Sequence, residues 1–398
     1  MTTHTKSPTV SRTRSTLLLG VLAAASLAIG GLTAVPACAQ GPDGPARTNV
    51  STSTSTSTST STGAGARLAS TEHATGVDTP AEARKVEQFH AKARLPKATA
   101  ADQARWLPRP DTAVSAHTRA QAPTGAPGSI PPAAPAASAR GWAKGLPKAV
   151  VKGVEKEFGR ELADGLPLIR TVGKIEYTNP RDPGKTYQCS GASINSPSKM
   201  MVATAGHCVA IGGSGHGGGD PSDRVWMENW VFMPAYNTGG QEAPYGKFTA
   251  KYFRAFDYWL DGGGRPYDFA LVTVNLNERG QRVVDAVGGN GLSWNYTFHE
   301  DLLMVGYPLN HGAGYTQDQF AGRTTTSTVN SAMIMMEAAG FNEGGSGGPW
   351  LRMYDPVTGL GKINGVTSYI HNGTSNNNDS PHFDGGMKWL WDEQGSRT

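Results

Sequence analysis

Residues 200–208 read MMVATAGHC, an apolar stretch of strand length that ends on His207 and Cys208. A second apolar stretch, FALVTV at 269–274, directly follows Asp268, and the glycine-rich stretch GGSGGP at 344–349 has Ser346 at its centre. A serine hydroxyl is a poor nucleophile unless an imidazole takes its proton and a carboxylate holds that imidazole. The three stretches together contain the residue types that such a nucleophilic site needs.

Short apolar stretches continue outward from these three, separated by Gly, Asn, Asp and Pro. They cover 169–177, 225–233, 302–306, 333–336 and 363–369. Each has the length of a strand, and helices do not alternate with them, so an all-β barrel or sandwich is favoured over a parallel α/β sheet. A helix is predicted at the end, Gly386 to Gln394, with its apolar residues on one side.

The order His, Asp, Ser, with Cys189-Ser190-Gly191 upstream, resembles the chymotrypsin/trypsin-like serine protease family. The closer likeness is to secreted bacterial glutamyl-endopeptidase-like peptidases. It is carried by four short stretches: Val172-Gly173-Lys174, Trp230-Val231-Phe232, Gly306-Tyr307-Pro308 and Gly348-Pro349-Trp350. The resemblance covers about 166–398.

This resemblance implies an all-β fold of two antiparallel six-stranded β-barrels, about 166–285 and 286–398, with a C-terminal helix. The active site would lie in the cleft between the barrels. His207 would be the base, Ser346 the nucleophile, and the N–H groups of Gly344 and Ser346 the oxyanion hole. Asp268 would orient the imidazole, in preference to Asp257 or Asp261, because an apolar strand follows it at once.

Two further expectations follow from the resemblance. Cys189 and Cys208 would form a disulfide around the histidine strand. Gly345 stands where trypsin-like zymogens carry an aspartate, so activation by pairing with a newly cut amino terminus cannot operate in that way.

The specificity pocket is expected to be lined by Gly340, Thr367 and Ser368. Glutamate-preferring relatives carry a histidine where Thr367 stands, and trypsin-like enzymes an aspartate near Gly340. A pocket without a counter-charge rejects an ionised side chain, because desolvation would go uncompensated. We therefore expect an uncharged residue before the scissile bond. A slip in alignment that brings His371 into the pocket would restore a glutamate preference.

The chain of 398 residues has a net charge of +4, and 38% of its residues are hydrophobic. That is too polar for a multi-span membrane protein, and the mildly acidic second half argues against nucleic-acid binding. Neither a metal nor a cofactor is expected, because the histidines show no metal-ligand spacing. The expected partners are protein or peptide substrates, and the expected state is a monomer without a membrane domain.

The first 165 residues differ in character from the rest. Residues 1–39 resemble a secretory signal peptide, with an apolar run from Leu17 to Val35 before Ala37-Cys38-Ala39. An uncleaved anchor and a lipoprotein linked through Cys38 are the alternatives. Residues 40–165 are of low complexity and indicate a largely disordered propeptide or stalk, with helical patterns at 80–93 and 148–162.

These observations predict a secreted serine endopeptidase that works through an acyl-enzyme. An esterase or amidase with the same triad is the first alternative. The second is a non-catalytic cell-surface binding module, in which residues 40–165 would be a stalk through the cell wall.

Overall fold

The computed structural model describes residues 56–60, 68–92, 95–99, 102, 125–136, 160–161, 167–212, 224–237, 242–262, 264–337, 339–370 and 376–398. They belong to one compact unit, Thr52–Thr398. The predicted signal peptide with Cys38, most of the helical pattern at 148–162, and His371 lie outside these ranges.

Strands dominate the described part of the chain. They are β1 (Thr56–Thr60), β2 (Ala69–Ala74), β3 (Gly128–Ile130), β4 (Arg160–Glu161), β5 (Val172–Thr178), β6 (Thr186–Ile194), β7 (Met201–Thr204), β8 (Ala210–Ile211), β9 (Val225–Trp226), β10 (Glu228–Pro234), β11 (Phe248–Phe256), β12 (Ala270–Val274), β13 (Gly291–Trp294), β14 (Asp301–Gly306), β15 (Asp318–Thr326), β16 (Met333–Met336), β17 (Pro349–Asp355), β18 (Leu360–Val366), β19 (Tyr369–Ile370) and β20 (Asn378–Pro381). The α-helices are α1 (Pro80–Lys92), α2 (Asp257–Gly262), α3 (Val283–Val287) and α4 (Gly385–Gln394). Single 3₁₀ turns occur at Gly206–Cys208, Arg265–Tyr267 and Gly312–Gly314.

The first barrel closes through six strands in the order β10, β5, β6, β7, β12 and β11. Closure depends on β11, whose start pairs with β10 and whose later residues pair with β12, as Phe253 does with Val272. Most residues of β5 and β6 are buried, both those that face the barrel interior and those on its outer face. The barrel therefore has the apolar interior and the closed edges that an all-β fold needs.

The second sheet runs in the order β19, β20, β16, β15, β14, β17, β18, β13 and β3, with β4 beside β15. Its pairs are antiparallel apart from β13 and β18, which run parallel. Asn290, directly before β13, links this pair to the first barrel: its amide donates to Thr171 Oγ1 (2.9 Å) and its Oδ1 accepts from Gly361 N (3.0 Å). The chymotrypsin-like fold class is confirmed, with this parallel pair as a departure from a wholly antiparallel second barrel.

The C-terminal helix α4 returns to the first barrel, as the sequence predicts. Asp384 accepts from the N–H of Gly386 (2.7 Å) and caps its start, and Leu390 is fully buried. At the other end, the buried Gln394 donates to Thr273 Oγ1 (2.7 Å) and accepts from Arg254 Nε (2.8 Å). The last residues of the chain thus hold two strands of the first barrel.

Parts of the region before residue 165 pack against the two sheets. Strand β2 pairs with β11, and β3 pairs with β13. Helix α1 buries Ala83 and Val86, and matches the predicted helix at 80–93. Sheet edges of the protease domain supply these segments with the backbone pairing that their own composition cannot supply.

None of the helices in the described ranges has the length and apolar character to span a membrane.

Candidate active site

His207 lies in a 3₁₀ turn immediately after β7, the apolar strand that the sequence predicts. A disulfide between Cys189 on β6 and Cys208 joins this turn to the barrel, as expected. The indole of Trp230 also donates to the carbonyl of Cys208 (3.2 Å). The sulfur atoms nearest to the imidazole are thus bonded to each other, and neither can act as a thiolate metal ligand.

Asp268 lies at the start of β12 and is completely buried. Its Oδ1 accepts the backbone N–H of His207 (2.8 Å), and its Oδ2 lies 2.8 Å from Nδ1 of the same residue. Ser368 Oγ donates to Oδ2 at 2.5 Å. A carboxylate beside Nδ1 favours the tautomer in which Nδ1 carries the proton and Nε2 has the free lone pair.

The competing carboxylates bond elsewhere. Asp257 accepts from Thr71 Oγ1 (2.7 Å), and Asp261 accepts from Arg224 Nε (2.8 Å). Among these acidic residues Asp268 makes both hydrogen bonds to His207.

Gly206 allows the close approach of His207 to Asp268. A Cβ atom at Gly206 would lie 3.0 Å from Asp268 Oδ1 and 2.8 Å from Trp259 Cδ1. A side chain there would push the carboxylate away from the imidazole.

Ser346 lies in the glycine turn before β17, and 7% of it is exposed. Its carbonyl accepts from Ser190 N (2.7 Å), across the junction between the two sheets. Gly347 has a φ of +77°, and a Cβ there would lie 2.5 Å from Ser190 O and 2.9 Å from Ala205 N. Glycine therefore lets the turn lie directly against the strand end that leads to His207.

The predicted oxyanion donors belong to this same turn. Gly344 has a φ of +88°, and its carbonyl accepts from Ser190 Oγ (2.8 Å), which in turn accepts from Tyr307 N (2.8 Å). Within the described chain, the N–H groups of Gly344 and Ser346 donate to no other residue. Sequence reasoning missed this role of the Ser190 side chain, because no local pattern marks it.

Two buried polar groups, the imidazole of His207 and the phenol of Tyr307, lie near the junction between the first barrel and the second sheet. Nε2 of His207 is buried and has no hydrogen-bond partner among the described residues, Ser346 included. Burial raises the pKa of Tyr307, so its phenol stays protonated and donates to Tyr236 O (3.2 Å). Tyr307 is therefore a hydrogen-bond donor at this junction.

The three predicted pocket residues lie near the turn, but two of their side chains are already bonded. Thr367 Oγ1 accepts from Trp350 Nε1 (3.0 Å), and Ser368 Oγ is bonded to Asp268. Gly340 has a φ of +67°, and its N–H donates to Asn376 O (2.8 Å). The backbone of Thr367 is bonded as well, since its N–H donates to Gly348 O (2.9 Å) and its carbonyl accepts from Gly347 N (2.7 Å). Thr367 and Ser368 thus shape this region through bonds within the protein.

Asn378 is a further residue of this region that sequence reasoning missed. It is fully buried, its amide donates to Phe341 O (2.7 Å), and its Oδ1 accepts from Phe341 N (3.0 Å). The run Asn376-Asn377-Asn378 was the available signal, but three adjacent asparagines are equally typical of a loop.

The sequence and the fold resemble those of known proteins. A family model described as Trypsin matches residues 170–384, more than half of the chain. Protease Anisep from Arthrobacter nicotinovorans is 29% identical, with a TM-score of 0.50 over 58% of this chain and 98% of that one. A thermostable serine protease, AL20, from an extremophilic microorganism is 23% identical, with a TM-score of 0.50 over 57% and 98%.

A Glu endopeptidase is 16% identical, with a TM-score of 0.45 over 61% of this chain and 99% of that one. No curated protein matches the chain significantly. Since the family match spans more than half of the residues and the fold agrees with it, the chain belongs to the trypsin family and is a serine-type endopeptidase.

Proposed function

We propose that the chain is an exported endopeptidase that cleaves peptide bonds through His207, Asp268 and Ser346. The observation that carries this proposal is the doubly hydrogen-bonded pair of Asp268 and His207, which leaves the buried Nε2 without a partner. Such an imidazole is oriented to accept a proton from a serine in the adjoining turn.

The proposed reaction has two halves. In the first, the proton of Ser346 Oγ passes to His207 Nε2 while Oγ bonds to the carbonyl carbon of the substrate. The carbonyl oxygen becomes an oxyanion, which the N–H groups of Gly344 and Ser346 stabilise. His207 then gives its proton to the amide nitrogen, the C–N bond breaks, and the amine leaves an acyl-enzyme.

In the second half, water replaces the amine. His207 takes one proton from the water, and the hydroxide oxygen bonds to the acyl carbon. The proton returns to Ser346 Oγ as the ester bond breaks and the carboxylic acid departs. Asp268 keeps its charge throughout and stabilises the imidazolium that forms twice.

We further propose a preference for an uncharged residue before the scissile bond. The side chains near the predicted pocket, Thr367, Ser368 and Asn378, are neutral and hydrogen-bonded to the protein. A peptide library tests this preference, and strong selection for Glu, or for Arg and Lys, would contradict it.

Export is supported by the disulfide between Cys189 and Cys208, which suits an oxidising compartment. N-terminal sequencing of protein recovered from the culture medium tests it. The expected species lacks residues 1–39, and protein found only in the cytoplasm would contradict export.

A fluorophosphonate probe tests the catalytic proposal. We expect covalent labelling of the unaltered protein at Ser346, and none of the Ser346→Ala variant. Ser193→Ala is the matched control, because Ser193 is a buried serine of the first barrel whose hydroxyl has no hydrogen-bond partner among the described residues. Failure of the unaltered, folded protein to react would favour the binding module, and cleavage of esters but not of peptides would favour the esterase.

A further inference from the structure

Strand β2 extends the first barrel at an edge that belongs to the protease domain. It pairs with β11 over five positions, from Ser70 opposite Phe256 to Ala74 opposite Tyr252. Ser70 and Thr71 are completely buried, although the stretch ASTEHA has little apolar character. Backbone pairing and polar contacts, rather than a hydrophobic face, therefore hold this strand.

The strongest of these contacts neutralises a buried cation. Arg254 on β11 is 4% exposed, and its Nη2 donates to Glu72 Oε2 (3.2 Å) while its Nη1 donates to Ser70 Oγ (3.1 Å). Its remaining partner, Gln394, is neutral. Among the described residues Glu72 is the only carboxylate that pairs with this guanidinium. Without β2, the guanidinium of Arg254 would lose this carboxylate partner, Glu72, and also the Ser70 side chain that contacts it.

A second anchor lies in the last turn of helix α1 and in the residues that follow it. His90 Nε2 lies 2.5 Å from Asn229 O, and its Nδ1 lies 3.6 Å from Glu176. Lys97 lies 3.7 Å from the same carboxylate and 3.9 Å from the centre of the Tyr315 ring. His90 and Lys97 thus cover an acidic side chain of β5.

Aromatic stacking adds a third contact. The imidazole of His73 stacks on Trp226 with ring centres 4.7 Å apart, and lies 6.3 Å from Phe253. Burial lowers the pKa of His73 to about 4, so the ring is neutral at pH 7. The His73 ring thus packs β2 against two aromatic side chains of the first barrel and its border.

The described residues of 68–99 do not contact the proposed catalytic side chains through hydrogen bonds. Within the described ranges, no residue of 68–99 hydrogen-bonds to His207, Asp268 or Ser346. The contacts of this segment are to five strands of the first barrel and its border (β5, β6, β9, β10 and β11), to helix α2, to Asn275 and Tyr315, and to the C-terminal residues. A segment that only masked the active site would have to contact that site.

From these contacts we propose that residues 68–99 are a lasting part of the protease, which stays bound to the first barrel after the chain is cut between residues 99 and 167. The inference concerns the first barrel alone and does not depend on the proposed catalytic roles. It assigns the edge of β11, with Arg254, as a binding surface for an extended segment that carries a carboxylate opposite the guanidinium.

The test uses the full chain with a site for a sequence-specific protease inserted between residues 116 and 117. After cleavage, we expect both fragments to co-elute in native size-exclusion chromatography and to separate in denaturant. Separation in native buffer, while the larger fragment keeps its circular dichroism spectrum, would overturn the proposal.

Two variants distinguish a specific effect at the edge of β11 from a general loss of stability. Glu72→Gln should speed exchange of a labelled N-terminal fragment against unlabelled fragment by about 100-fold, because it leaves Arg254 without a counter-charge. Asp78→Asn removes an exposed carboxylate of the same segment and should change the exchange rate less than twofold. Equal rates for the two variants would contradict the assigned surface.

Ser70→Ala covers the case in which Glu72→Gln does not fold. It removes one hydrogen bond to Arg254, and we expect about fivefold faster exchange. An unchanged rate would contradict the role of this edge.

Discussion

The two halves of the catalytic centre are held in different ways. In the first barrel, the side chain of Asp268 and the disulfide at Cys208 fix His207, and Ser368 of the second sheet donates to Asp268. In the second sheet, backbone hydrogen bonds and positive φ angles determine the turn around Ser346. The general base thus depends on particular side chains, and the nucleophile depends on a backbone shape.

The two halves meet at Ser190, which belongs to the first barrel. Its N–H bonds to Ser346 O, its Oγ bonds to Gly344 O, and its carbonyl accepts from Thr204 Oγ1 (2.8 Å). One residue of the first barrel therefore contacts both ends of the proposed oxyanion loop. The half that is held by its backbone therefore still needs a side chain from the neighbouring barrel.

The largest expected effect comes from removing one group of either half. Ser346→Ala and His207→Ala should each lower kcat by about a million-fold, since both belong to one proton-transfer unit. The double variant should be little worse than either single one. Steady-state kinetics on a peptide substrate checks this, with circular dichroism to confirm folding. Appreciable activity in folded Ser346→Ala would show that the nucleophile is assigned wrongly.

Loss of the disulfide should affect the first barrel. The bond links residues that are 19 positions apart, which corresponds to about 3 kcal/mol of stability in the chain-entropy model. Cys189→Ala with Cys208→Ala should therefore lower Tm by about 6–12 °C.

Calorimetry of the unprocessed chain measures this shift. Cys38→Ser is the matched control, because it removes the third cysteine and should leave Tm unchanged. If the double variant has the same Tm as the unaltered protein, the disulfide does not stabilise the barrel.

Ser190→Ala should sharpen the comparison, because it removes only the side-chain link between the halves. We expect kcat to fall by about tenfold to a hundredfold with little change in KM, since Gly344 O and Tyr307 N each lose a buried hydrogen bond. Affinity for a boronate inhibitor, which forms a tetrahedral adduct, should fall in parallel.

Ser193→Ala is the control on the same strand. Its hydroxyl has no hydrogen-bond partner among the described residues, so kcat should not change. Equal kcat values for Ser190→Ala and Ser193→Ala would show that Ser190 does not position the turn around Ser346.

Acid should loosen the N-terminal segment, the smallest of these effects. Burial lowers the pKa of His73 to about 4 and also lowers that of His90, so both rings dock in the neutral form. For His73, docking should be fully stable above pH 6.5, weaken as the pH falls towards 4, and level off below that.

His73→Phe keeps a flat ring that does not titrate. Its fragment exchange rate should depend less steeply on pH between 6.5 and 4.5. The remaining slope should come from His90 and from Glu87 and Asp257, two carboxyl groups whose pKa burial raises. The same slope as in the unaltered protein would show that His73 does not contribute.

Strand β11 shows why the sequence was only partly sufficient. Its sequence FTAKYFRAF contains Lys251 and Arg254, which usually indicate an exposed surface, so no buried strand was predicted there. Glu72, 182 positions away, neutralises Arg254 and allows its burial. The apolar strand β12, by contrast, was recognisable because it consists of uncharged residues over its full length.

The sequence by itself determined the residue types of the proposed triad, the all-β fold and the C-terminal helix. These follow from short-range properties: the order of chemically distinct residues, apolar stretches of strand length, and helical spacing. Only the tertiary structure decided that Ser190 holds the turn around Ser346 and that Glu72 pairs with Arg254. Such contacts join residues that are far apart in the chain, so no local sequence pattern marks them. Each contributes little free energy by itself, and it can form only after barrel closure has brought the two residues together.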